Sequence, residues 1–179
     1  MTRDYKKVLL EGKNHDLVIK IGDKELKAHR DILRARSRVF ESMLNHNMSE
    51  KNSGVIEVAD CDQQAMEQFL SYVYCGKVET LDQSNMLDLY YIADKYDMKC
   101  LKEGCNDFIK KSLSITNVCE VLQLAMNHRD NGSLESASAY FVDHVLDIMR
   151  TAEWQSFLKD NSTVGNELLI KAFEKLKND

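Results

Sequence analysis

"DLVIKIGDKELKAHRDILRARSRVFESML" spans residues 16–44 and decides the fold, because the period of its apolar residues changes partway along. Leu17, Ile19 and Ile21 share one parity, with Val18 and Lys20 between them, the period of a half-buried strand. Gly22-Asp23 can supply the positive φ of a tight turn. Leu26 and Ala28 resume the alternation, so the segment reads as a hairpin. Beyond it Ile32, Leu33, Val39, Phe40, Met43 and Leu44 fall at helical spacing. Ser37 between them is a natural N-cap, so the stretch reads as two short helices.

Working outward, Gly54 opens "VIEV", a short strand able to join the hairpin. After Asp62, the residues Ala65, Met66, Phe69, Leu70 and Val73 recur as on a helix. Thr80-x-x-Gln83 matches a capping box ahead of a helix with Met86, Leu89, Tyr90 and Ala93. Another helix carries Leu101, Cys105, Phe108 and Ile109. Three strands cannot bury themselves, so helices must cover the sheet, and the class is α+β. From Thr116 onward the pattern is wholly helical. One stripe is Val118, Val121, Leu122 and Ala125; another is Ala137, Phe141, Val145 and Ile148. Trp154, Phe157 and Leu158 form a third, and Leu168, Leu169, Ala172 and Phe173 a fourth. Such stripes indicate packed helices. "SLSITN" at 112–117 reads as a seam, which predicts an α+β domain over 1–113 and an all-α extension over 114–179.

The totals exclude several functions. The 44% hydrophobic and 30% charged residues are those of an ordinary globular chain. A net charge of -5 argues against a nucleic-acid platform, which carries a clustered basic face. No apolar run approaches the ~20 residues of a membrane span, and the N-terminus lacks the apolar core of a signal peptide. The expectation is a nuclear or cytoplasmic protein with no membrane attachment. The five cysteines are odd in number and form no C-x-x-C pair, so the reading is reduced, mostly buried thiols. No metal-binding histidine pattern, nucleophile elbow or phosphate-binding glycine loop is present. His29, between a strand and a helix, reads as a structural histidine bonded to backbone. The reading is therefore a non-enzyme without cofactor or metal.

The quoted stretch resembles the opening of a BTB/POZ domain, with its Asp-led first strand, A-H-R helix start, A-R-S, and V-F-x-x-M-L. "VIEVADCDQQAMEQFLSYVYCGKV" (55–78) is similar to that family's third strand, next helix and Y-x-G turn, and "MLDLYYIADKYDMKCLKEGC" (86–105) to its later helices. The proline of the family's "ARSPVF" is Arg38 here. "SITNVCEVLQLAMNH" and "TAEWQSFLKDN" resemble the 3-box and BACK-type extension of speckle-type POZ proteins, whose preceding MATH domain is expected to be missing from this chain.

The resemblance implies a homodimeric interaction adaptor that binds cullin-3 in an E3 ubiquitin ligase, able also to pair with related BTB/POZ proteins. Its alternative is a self-association scaffold or transcription-associated regulator that binds no cullin. Tyr5, Val8, Leu9 and Ile32 match dimer-interface positions. Val8-Leu9-Leu10, an apolar cluster ahead of the first strand, needs a cover, either a partner or its own domain. Asp16 and Arg36 match the charged pair of the dimer pocket, or form a structural ion pair. Met48-Ser49-Glu50 matches the hydrophobic-x-Glu motif for cullin-3: methionine fills an irregular pocket and glutamate accepts fixing hydrogen bonds. Ile115, Val118, Val121 and Leu122 match 3-box positions, or belong to the core.

Overall fold

The computed structural model describes residues 2–45, 54–78 and 85–178. The chain folds as two compact units, residues 1–105 and 106–179.

The first unit opens with α1 (Thr2–Glu11), a helix where the sequence showed only an apolar cluster. The expected hairpin follows as β1 (Leu17–Ile21) and β2 (Lys24–Ala28), with Gly22 at φ +55° in the turn. Next come α2 (Arg30–Arg36) and α3 (Arg38–Asn45), and then β3 (Val55–Glu57). The sheet order is β2-β1-β3, antiparallel between β1 and β2 and parallel between β1 and β3. Ser37 separates the two short helices as read. Its hydroxyl accepts the Phe40 amide (3.3 Å) and donates to the Tyr96 carbonyl (2.7 Å). Arg38 is the first residue of α3, a position that also accepts proline, so the departure from the family pattern leaves the helix intact.

Helix α4 (Gln63–Cys75) is capped by Asp62, whose carboxylate accepts the amides of Gln64 (2.6 Å) and Ala65 (3.4 Å). It ends on Gly76 at φ +70°, the left-handed cap a glycine adopts without strain. Helices α5 (Met86–Lys95) and α6 (Lys99–Lys111) follow, the division between the units falling inside α6. Phe40 stacks on Tyr96 at 4.2 Å, and Phe69 tilts against both, so apolar residues at helical spacing meet in one core. The Thr80–Gln83 capping box lies outside the described residues.

The second unit is all helix: the end of α6, then α7 (Val118–Asn127), α8 (Asn131–Asp143), α9 (Val145–Ile148), α10 (Ala152–Asp160) and α11 (Ser162–Asn178). The "SLSITN" seam is the turn from α6 to α7. Asn117 ties it, accepting the Ser114 amide (2.8 Å) and donating to the Ser112 carbonyl (2.9 Å). Trp154 fills the core between Phe141 and Phe157. Gly165 lies beside it, where an added Cβ would stand 3.3 Å from Trp154 Cη2 and force the Leu158 side chain to shift.

Two stripes need correction. The stripe Ala137, Phe141, Val145 and Ile148 is buried as expected but breaks at His144 into α8 and α9. Phe173, assigned to the fourth stripe, is 56% exposed and turned outward with Ile170 and Leu176, while Leu168 and Ala172 face the core. The thiols also differ from expectation: Cys105 and Cys119 are buried, Cys61 and Cys75 half-buried, and Cys100 exposed. Burial pushes the Cys105 thiol up to about 12 and the Cys119 thiol to about 11, helped at Cys119 by Glu153.

Candidate interaction surface

Among the described residues of the first unit, every exposed large hydrophobic side chain lies on α1: Tyr5 (47% exposed), Val8 (39%) and Leu10 (74%). Leu9, one residue along, is half-buried and shares a groove wall with Leu70 of α4. The helix leaves Tyr5 and Val8, three apart and so neighbours on its surface, facing outward. Tyr5 lines a groove of about 520 Å³ with Ile32, Ala35 and Arg36 of α2 and Val73 and Tyr74 of α4. Tyr5 and Val8 thus present apolar surface, and Tyr5 shares one groove with half-buried Ile32. Leu9 is half-buried, as Ile32 is, and lines a separate groove with Leu10 and Leu70.

The wall of that groove is held by a polar network. The backbone amide of His29 donates to the Tyr74 hydroxyl (2.9 Å), and imidazole Nε2 donates to the Lys13 carbonyl (2.9 Å). With that proton on Nε2, Nδ1 is the acceptor for the Tyr74 hydroxyl (2.8 Å). His29 is thus the structural, backbone-bonded residue expected, and it ties the segment after α1 to α2 and α4. Burial pushes the Tyr74 phenol up to about 12, despite the opposing His29 amide, so the hydroxyl keeps its proton.

The charged pair is divided between two tasks. One Asp16 carboxylate oxygen accepts the Arg30 amide (2.9 Å), capping α2 from outside the helix, and the Asp16 carbonyl accepts Arg30 Nε (3.0 Å). Arg36 stands instead on the groove wall with Tyr5 and Ile32.

Met48, Ser49 and Glu50 lie outside the described residues. Ile115 is half-buried, whereas Val118, Val121 and Leu122 are at most 2% exposed in the core of the second unit. No group of three or more metal-ligating side chains occurs among the described residues, and no described helix is long and apolar enough to cross a membrane.

One feature the sequence did not signal is a surface pin. Asp60, just before α4, accepts the Tyr91 hydroxyl (2.6 Å) and the Lys95 ammonium (2.8 Å) from α5. Those partners, Lys95 first, hold its carboxyl below its ordinary value. Residues 31 and 35 apart in sequence carry no local pattern that reveals such a contact.

A family model for the BTB/POZ domain matches residues 5–113. The chain is 31% identical over 156 residues to BTB and MATH domain-containing protein 42 of Caenorhabditis elegans, covering 86% of this chain and 38% of that protein. It is 32% identical to TD and POZ domain-containing protein 5 of Mus musculus, covering 80% of this chain and 43% of the relative. The chain thus spans about two fifths of the length of these curated relatives. Among solved structures, the BTB domain of zebrafish PATZ1 superposes with a TM-score of 0.53 at 21% identity, over 63% of this chain and 90% of that one, which shows a shared fold.

Proposed function

This chain belongs to the BTB/POZ domain family, a family of protein-interaction modules, and from that premise we propose that it is a homodimeric adaptor that docks cullin-3 in a ubiquitin ligase. The observation that carries the dimer is the confinement of the first unit's exposed large hydrophobics to α1, with Tyr5 and Ile32 sharing one groove. Covering what remains exposed of each such side chain contributes a part of the roughly 1.5–3 kcal/mol that full burial supplies, and a stable pair needs on the order of 1,200–2,000 Å² of buried surface. Tyr5, Val8 and Ile32 supply its apolar centre and Arg36 its charged margin.

The cullin site is assigned to Met48-Ser49-Glu50, on the family motif they match. Burial of Val118, Val121 and Leu122 narrows the contribution of the second unit to Ile115, the one of the four with surface to offer. Substrates would be brought by another domain or another chain.

The test is a calorimetric titration of the chain with the N-terminal region of cullin-3, run beside sedimentation velocity. Met48→Asp should abolish binding and leave the dimer whole, and Glu50→Ala should weaken binding. Unchanged affinity in Met48→Asp would remove the assigned segment. A dimeric wild type that binds no cullin would instead identify a self-association scaffold.

A further inference from the structure

The outer edge of the sheet carries a second self-complementary surface. The Val18 amide donates to the Gly54 carbonyl and the Val58 amide to the Lys20 carbonyl, each at 2.8 Å, so Val18 and Lys20 direct their backbone groups toward β3. In an antiparallel ladder, opposed residues either exchange both bonds or both turn away. Lys27 and Glu25, opposite Val18 and Lys20, therefore aim their N–H and C=O groups away from β1. Strand β2 is the edge of the sheet, and among the described residues no backbone bond reaches Glu25 or Lys27 from outside the hairpin.

Lysines on an edge strand ordinarily block pairing with another strand. In "KELKA" the charges alternate in sign, which changes what the edge excludes. With two copies antiparallel about a two-fold axis at Leu26, each Glu25 faces Lys27 of the partner subunit. These are also the residues with outward backbone groups, so the hydrogen-bonding and charge patterns coincide. Shifting the register to set Glu25 on Glu25, or Lys27 on Lys27, opposes like charges, which is unfavourable. Beside Leu26 lies a groove of about 550 Å³ whose apolar lining includes Leu9, Leu10 and Leu70. Leu10 is turned roughly 160° around α1 from Val8 at 3.6 residues per turn, so an interface over Tyr5 and Val8 leaves it bare.

We propose that β2 of this chain pairs with β2 of a second copy, in the register centred on Leu26, as an interface separate from the α1 face. The two interfaces together link dimers into longer assemblies. A five-residue strand makes a small contact, so the assembly forms at high protein concentration.

The experiment is sedimentation velocity of the whole chain across a wide concentration range. Glu25→Pro removes an outward amide and none of the hairpin's own bonds, and should abolish species larger than the α1-mediated dimer. Glu25→Lys and Lys27→Glu should each weaken that assembly about tenfold or more, and the double variant should restore it. In the wild type, exchange of the Glu25 and Lys27 amides should slow as concentration rises while that of Leu26 stays constant. Larger species that survive Glu25→Pro, or no rescue in the double variant, would overturn the proposal. So would a wild type whose assembly is wholly removed by Val8→Asp. Loss of all assembly in Glu25→Pro, with Val8→Asp inert, would uphold the β2 contact while overturning the α1 dimer.

Discussion

Two short apolar sets, Tyr5-Val8 on α1 and Val118-Val121-Leu122 on α7, look alike in sequence and play opposite parts in the molecule. Both are spaced by three or four residues, and the family resemblance alone assigns both to partner contacts. Yet Tyr5 and Val8 are 47% and 39% exposed, while the α7 residues are at most 2% exposed. Helical spacing shows that apolar residues share a face; it does not show what that face is pressed against. Around α7 the neighbouring stripes on α8, α10 and α11 supply enough apolar surface to close a core. Helix α1 leans on α4, and its apolar side chains exceed what its own domain covers.

The largest effect that could break this contrast is a charge in α7. Leu122→Asp places a carboxyl where the residue has no exposure, at a cost of about 4 kcal/mol or more. The second unit should unfold or open far more readily, while Leu122→Ala should cost about 2–5 kcal/mol. The chain has one tryptophan, Trp154, and it lies in this core, so its fluorescence during urea unfolding follows the second unit specifically. A midpoint unmoved by Leu122→Asp would mean that α7 is a surface after all.

The counterpart is Val8→Asp. It should dissolve the α1-mediated dimer in sedimentation and leave first-unit stability, read by hydrogen exchange at α4 amides, within about 0.5 kcal/mol, as expected for a partly exposed site. A large loss of α4 protection would show α1 to be structural rather than associative.

How much of this was legible beforehand depends on the range of each cause. The hairpin, the Ser37 cap, the Asp62-led helix and the stripe on α7 were readable because alternation, capping and helical period act within a few residues. Helix α1 was missed because its apolar residues form one three-residue cluster amid charge, too short to show a period. The Asp60 pin and the His29–Tyr74 network join residues more than 30 positions apart, and nothing local encodes them. The break at His144 was hidden because apolar residues continue at helical spacing on both sides of it. Phe173 misled because an apolar residue beside a core stripe has the same composition signal whether it faces in or out.

A smaller effect sharpens the comparison at the groove wall. Tyr74→Phe keeps the ring and removes the hydroxyl that bridges the His29 amide and imidazole. Leaving that part-buried amide without its acceptor should cost about 1–3 kcal/mol of first-unit stability. Because Tyr74 lines the groove shared by Tyr5 and Ile32, dimer affinity should fall as well, whereas the Trp154 midpoint should hold. Loss of dimer affinity without any loss of stability would place the hydroxyl in the partner contact rather than in the support behind it.

The smallest effect is set by pH at the Asp60 pin, where a surface contact stabilises the first unit without any apolar burial. Lys95 and Tyr91 hold the Asp60 carboxyl below its ordinary 3.8. A carboxyl depressed on folding contributes its stability above the unfolded value, and that contribution disappears as pH falls through the folded value. The change therefore lies below about pH 4 and is absent near neutrality. Asp60 and Lys95 are both well exposed, so solvent screening limits the contribution to ~1 kcal/mol or less. Lys95→Met should lower first-unit stability slightly at neutral pH and flatten its acid limb, and Tyr91→Phe should do the same to a smaller degree. Hydrogen exchange at α5 amides, compared between pH 3 and pH 6, reads the difference locally. An acid limb unchanged in Lys95→Met would show that the charge contact does no more than occupy the surface, leaving the packing of Tyr96 on Phe40 to hold α5 in place.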